Sequence, residues 1–259
     1  MRTQPAIDRE SLSAAQEQRL IAATDLLRRL PDISPQRIGN VRGGRGAVQG
    51  LLARRFPGAR IETIEFTLET SRGSDASPGR DQFRLSHPGG ASPREGFDLI
   101  FCDGSLEMLA TIERLTPALL SLTRPRGVLA FQLPNNLHEP NRELLRLVAV
   151  DGPWAKALIP VAKTRPFNVT LEDLDALLRP LCESVEFWQT TYVHYVKGAE
   201  GIIESMKDTS LPPFLEPLDP DMRQGLLQRF ARELAEVYRP RPDGKVLLRL
   251  PRISLIARR

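Results

Sequence analysis

The chain has 259 residues, 41% of them hydrophobic and 26% charged, with a formal net charge of +4. This is ordinary globular composition with enough apolar material for a sizeable core, and the length is long for one domain but compatible with one. The longest apolar runs, 97–102 and 127–133, are too short to cross a bilayer, and the opening MRTQPAIDRESLS has no apolar signal core, so the expectation is a cytoplasmic protein with no membrane partner.

Residues 11–30 read as a helix with Leu20, Ile21, Ala23, Leu26, Leu27 and Leu30 on one broad face. RIGNV is a short strand, and the glycine-rich turn VRGGRG leads into a helix over 47–56 that Pro57-Gly58 stops. RIETIEF alternates as a strand, 67–80 is polar and turn-rich, and QFRL and FDLIFC are further strands. LATIERLTPALLSLT is a helix ended by Pro125, and GVLAFQL is a buried strand. This alternation predicts a doubly wound α/β fold, a mostly parallel sheet with helices on both faces and any ligand at the carboxyl ends of the strands.

In the second half, Thr170 and Asp173 form a plausible capping box for a helix over 171–179. VEFWQTTYVHYV is a long aromatic strand. Asp219-Pro220 opens a helix over 221–238 in which Met222, Leu226, Phe230 and Leu234 recur every four residues, and RISLIARR ends the chain as a strand. Cys102 and Cys182 fall in apolar segments and read as small buried hydrophobes, so no disulfide and no metal site is expected. Arginines interleaved with acids, as in LLQRFARELAEVYR, read as solvated helix faces, and no nucleic-acid partner is expected.

Three stretches carry a family likeness: FQLPNNLHEPNRELLRLVAVDGPWAKAL (131–158), TTYVHYVKGAEGIIESMKDTSLPPFLEPLD (190–219) and the C-terminal RPDGKVLLRLPRISLIARR. They resemble the trans-aconitate methyltransferases, a branch of the class I S-adenosylmethionine (SAM)-dependent methyltransferases, and the likeness runs from about residue 20 to the C-terminus. The resemblance implies a Rossmann-like sheet with an antiparallel last strand, SAM at the carboxyl ends of the first strands, and methyl transfer to a carboxylate oxygen of a small polyacid. It divides a single domain, 1–259, into a core (11–197), a helical substrate lid (198–240) and a final strand (241–259).

The resemblance also assigns candidate site residues. The family's first motif, an acid followed by Gly-x-Gly-x-Gly, falls on Asn40-Val41-Arg42-Gly43-Gly44-Arg45-Gly46, so that Asn40 stands for the acid, Arg42 for the first glycine, and Gly44 and Gly46 match. Glu65 matches the acid that holds the ribose hydroxyls. Ser86 and His87 occupy the adenine region, and Asp103 is a further cofactor-side candidate. Gln132, Asn135, Trp154, Tyr192 and His194 are the substrate-side candidates, with Trp154 equally readable as a core anchor and Tyr192 as strand packing. No catalytic residue is assigned, because a sulfonium is already activated and a carboxylate already ionised, which leaves positioning as most of the catalysis. Asn40 and Arg42 keep two readings open. One is a SAM-dependent carboxyl O-methyltransferase. The other is a degenerate homologue that takes another small ligand, performs a SAM-independent step, or serves as the inactive partner of an active methyltransferase. A homo-oligomer is compatible with either.

Overall fold

Seven strands form one sheet in the order β3-β2-β1-β4-β5-β7-β6. A computed structural model describes residues 14–42, 47–69, 82–86, 96–104, 108, 111–163 and 170–259. In chain order the elements are α1 (Ala14–Arg28), β1 (Arg37–Arg42), α2 (Ala47–Arg55), β2 (Arg60–Glu69), β3 (Gln82–Ser86), β4 (Phe97–Asp103), α3 (Ile112–Ser121) and β5 (Thr123–Pro134). There follow α4 (Pro140–Val150), α5 (Ala155–Lys163), α6 (Leu171–Leu178), β6 (Ser184–Lys197), α7 (Gly198–Met206), α8 (Pro212–Leu215), α9 (Pro220–Val237) and β7 (Lys245–Arg258).

β1 runs parallel to both β2 and β4, and β4 runs parallel to β5. Side chains alternate between faces along each strand, so Ile38 on β1, Leu99 and Phe101 on β4, and Val128 and Ala130 on β5 share one face. All five are buried in one cluster with Ala23, Leu26 and Leu27 of α1 and Leu52 of α2. A buried carboxylate ties down the opposite end of these strands. Asp98, second residue of β4, accepts backbone N–H bonds from Gln36 at 2.7 Å and Arg37 at 2.8 Å, and pairs with Arg124 at the start of β5.

The last strand is antiparallel, as the resemblance implied. Arg126 N–H donates to Arg259 C=O at 2.7 Å and Asn135 N–H to Pro251 C=O at 2.8 Å, so β7 descends as β5 ascends. Two features differ from the sequence expectation. β3 pairs antiparallel with β2, from Glu69↔Gln82 to Glu65↔Ser86. An antiparallel pair needs no crossover connection, unlike the parallel pairs of β1, β2, β4 and β5. β5 begins at Thr123, before Pro125, because the register breaks between Phe97 and Leu99 and the extra residues form a bulge where a proline is tolerated. Cys102 is buried as expected, whereas Cys182 is only half-buried and burial pushes its thiol pKa up.

The helix caps agree with the sequence. Asp173 N–H donates to Thr170 Oγ1 at 3.1 Å while Thr170 N–H donates to Asp173 Oδ2 at 3.0 Å, and Met222 N–H donates to Asp219 Oδ1 at 2.9 Å.

The chain divides into two compact units: residues 1–134, 169–189 and 253–259, and residues 135–168 and 190–252. The helices expected as a lid lie in the second unit with α4 and α5. Its own core joins Leu145, Val148, Trp154, Leu158, Ile202, Met206, Leu226, Phe230 and Leu234. The four-residue repeat on α9 is therefore a packing stripe. Among the described residues, no helix is long and apolar enough to cross a membrane.

Asp98→Ala removes the acceptor of two backbone donors and the partner of Arg124. It is expected to destabilise the protein by roughly 2–4 kcal/mol in urea unfolding, against about 1 kcal/mol for Thr170→Ala at an exposed cap.

Candidate functional site

The strand register gathers the cofactor-side candidates into one row. Ser86 pairs with Glu65, Glu65 with Arg42, and Asp103 with Gln132. The pair Val41–Cys102 brings Arg42 alongside Asp103 one residue further on. Five neighbouring strands thus present these residues in one row, with Arg42 and Asp103 as the last residues of the parallel strands β1 and β4. Asn40 lies one layer below, between Thr63 and Phe101, and is 5% exposed. Gly44, Gly46 and His87 lie outside the described residues. Glu65 is half-buried and Ser86 exposed.

Asp103 is the node of this edge. It shares the face of Leu99 and Phe101, on which α1 packs, and is 5% exposed. Gln132, 1% exposed, donates from Nε2 to Asp103 Oδ1 at 3.0 Å. Arg19 of α1 donates from Nε to Asp103 Oδ2 at 3.1 Å and from Nη2 to the Asp103 carbonyl at 3.3 Å. A carboxylate this buried needs such partners, since desolvation penalises the bare charge. Gly104 follows. Its N–H donates to the Gln132 carbonyl at 2.8 Å, and a Cβ there would come within 2.6 Å of that backbone oxygen. A side chain at 104 would have to displace the sheet itself.

Sequence reasoning missed Arg19. The available signal was a cation on the first helix, one residue before its apolar face begins at Leu20. Met108 is buried beside Cys102 at an Sγ–Sδ distance of 3.8 Å.

The remaining substrate-side candidates belong to the second unit. Trp154 is 5% exposed and its indole N–H donates to the Val148 carbonyl at 2.7 Å, which fits the core-anchor reading. Tyr192 and His194 are half-buried and lie on one face of β6, separated by exposed Val193. Asn135, half-buried, begins the connection from β5 to α4.

No protein-family model matches the chain. It is 37% identical to the trans-aconitate 2-methyltransferase of Methylobacterium nodulans over 94% of each chain. It is 33% identical to that of Rhodopseudomonas palustris over 96% of this chain and 98% of the relative, and 36% identical to that of Yersinia pestis over 91% of each. Solved structures superpose more loosely. The YcgJ protein of Bacillus subtilis has a TM-score of 0.48 at 8% identity, covering 93% of this chain and 98% of its own. Phosphoethanolamine N-methyltransferase 2 of Haemonchus contortus, solved with S-adenosyl-L-methionine, has a TM-score of 0.43 at 14% identity, over 92% of this chain and 52% of its own.

Arg19→Ala and Asp103→Asn are expected to be non-additive. A double-mutant cycle followed by chemical unfolding should give a coupling of roughly 0.5–3 kcal/mol, because each change leaves the other group without its partner.

Proposed function

The chain belongs to the trans-aconitate 2-methyltransferase family, and from that premise we propose that it transfers a methyl group from SAM to a carboxylate oxygen of a small organic polyacid. The observation that carries this reading is the row Ser86, Glu65, Arg42, Asp103 and Gln132 along the carboxyl edge of the sheet. The donor set suits the cofactor. Glu65 offers a carboxylate to a ribose diol. Asp103 and Glu65 carry the negative charge that a sulfonium and an ammonium favour and that Asn40 no longer supplies. Gly104, pressed against Gln132, keeps the floor free of side-chain bulk.

Bound there, SAM supplies an activated methyl group on a sulfonium, and the products are S-adenosylhomocysteine and a carboxyl methyl ester. The chain's own task is small but exacting. Gln132 and Arg19 hold Asp103 in one orientation, so the edge stays fixed rather than adapting to its ligand. The acid arrives ionised and needs no base, so alignment of nucleophile and leaving group carries the rate. In this reading the backbone at Arg42 borders the cofactor and Ser86 its adenine end, and the family motif assigns Gly44, Gly46 and His87 to the same ligand. The resemblance assigns Asn135, Tyr192 and His194 of the second unit to the acid. The contrary reading, a homologue without SAM, finds no support in the relatives, which are named trans-aconitate 2-methyltransferases.

Incubation with SAM and trans-aconitate is expected to yield S-adenosylhomocysteine and a monomethyl ester by mass spectrometry. Absence of ester, together with no calorimetric binding of SAM or S-adenosylhomocysteine, overturns the proposal. Glu65→Ala should weaken S-adenosylhomocysteine binding by roughly ten- to a hundredfold. The double change Asn40→Asp with Arg42→Gly should tighten it.

A further inference from the structure

The stripe of α1 that faces the sheet contains Ala23, Leu26, Leu27 and Leu30, all buried. Four residues before Ala23, on the same stripe, stands Arg19 in place of an apolar residue. Its partner Asp103 shares a strand face with the buried Leu99 and Phe101. The Asp103 side chain is 7% exposed and that of Arg19 30%. Replacing a buried ion pair by apolar residues is commonly neutral or stabilising, so packing does not account for a charge at both positions.

Gln132 and Arg19 hold this acid in different ways. Gln132 donates from Nε2 to Oδ1 at 3.0 Å and carries no charge. Arg19 donates from Nε to Oδ2 at 3.1 Å and from Nη2 to the Asp103 carbonyl at 3.3 Å. Both orient the carboxylate, but only Arg19 changes the charge that the carboxyl edge presents. The acid has little water around it, and there one charge offsets another far more than in bulk solvent. Asp103 thus keeps its direction as an acceptor while much of its net charge is cancelled.

This balance bears on a cofactor whose charge changes during the reaction. SAM carries a positive sulfonium. When the methyl group leaves, the electron pair of the S–C bond stays on sulfur, and S-adenosylhomocysteine carries a neutral thioether. An uncompensated carboxylate at this edge would favour the sulfonium form strongly over the thioether. Such binding stabilises the charged cofactor before transfer and not the transition state in which that charge disperses, which slows the reaction. We propose that Arg19 is a positioning residue that acts through Asp103 to set the relative affinity of the edge for SAM and S-adenosylhomocysteine. It screens the acid, so that the charged cofactor is oriented without being over-bound. The proposal rests on the methyl-transfer reading above, and both residues lie in the first unit.

The test is calorimetric titration with SAM, S-adenosylhomocysteine and sinefungin, which carries an ammonium group where SAM carries its sulfonium. Arg19→Gln should raise the ratio of SAM to S-adenosylhomocysteine affinity by roughly three- to thirtyfold, and sinefungin should move with SAM. Arg19→Lys keeps the charge and should leave the ratio within about twofold of wild type. Asp103→Asn leaves the guanidinium uncompensated and should lower the ratio by roughly three- to thirtyfold, and the double variant Arg19→Gln with Asp103→Asn should fall between the two single ones. A pair that only braces the fold would weaken all three ligands together. A ratio within twofold of wild type in Arg19→Gln therefore overturns the proposal, and so does an Arg19→Lys that shifts it as far as Arg19→Gln. If Arg19→Gln does not fold, Asp103→Asn decides it: a fall of more than twofold supports the proposal, and any smaller change overturns it. Retained binding at an unchanged ratio defeats this proposal and leaves the methyl-transfer reading standing. A wild-type protein that binds neither SAM nor S-adenosylhomocysteine defeats that reading, and this proposal with it.

Discussion

One buried carboxylate sets the alignment on which the candidate cofactor edge depends. Asp98 holds the two backbone donors that lead into β1 and the arginine that opens β5, and it does so from the second position of β4. Three neighbouring strands therefore start from a common anchor. β1 and β4 advance together from there at about 3.3 Å per residue, so Arg42 and Asp103 finish level, and β5 brings Gln132 into the same row once its bulge has taken up the extra residues. Arg42, Asp103 and Gln132 come together because their strands were aligned at the other end. A slip of one residue in any of these strands would turn its terminal polar residue to the opposite face.

The carboxyl edge is held from above by a different logic. α1 contributes apolar residues to the core it covers and, from the same helix, the guanidinium that meets Asp103. Packing sets where the helix lies, and the ion pair sets which way the edge's acid points. Because Gln132 fills the second oxygen, the acid has a defined direction before any ligand arrives. Such preorganisation lowers the cost of ordering a site on binding.

Much of this was legible in the sequence because it depends on local pattern. Alternation marked the strands, Thr170 and Asp219 marked helix starts, and the ends of the strands carried polar residues worth naming. What was not legible depends on partners distant in the chain. Nothing in QFRLS states that β3 opposes β2, since strand direction is a property of the pair. Pro125 reads locally as a stop, yet the bulge absorbs it within β5. Arg19 looks like any other arginine on a polar helix face, and only the tertiary structure shows that it meets a buried acid. Trp154 shows the converse. It was recognisable as important, but its indole N–H is spent on Val148.

The place of β7 has a consequence for how the chain assembles. It lies between β5 and β6, although it follows both in sequence. While the polypeptide is being made, β5 and β6 emerge with no native strand to join them, and each keeps an open edge until residues 245–258 appear. The sheet therefore closes late, through contacts of long sequence separation that slow folding and prolong exposure of sticky edges. A ribosome stalled shortly before that segment would hold a chain whose sheet is still in two pieces.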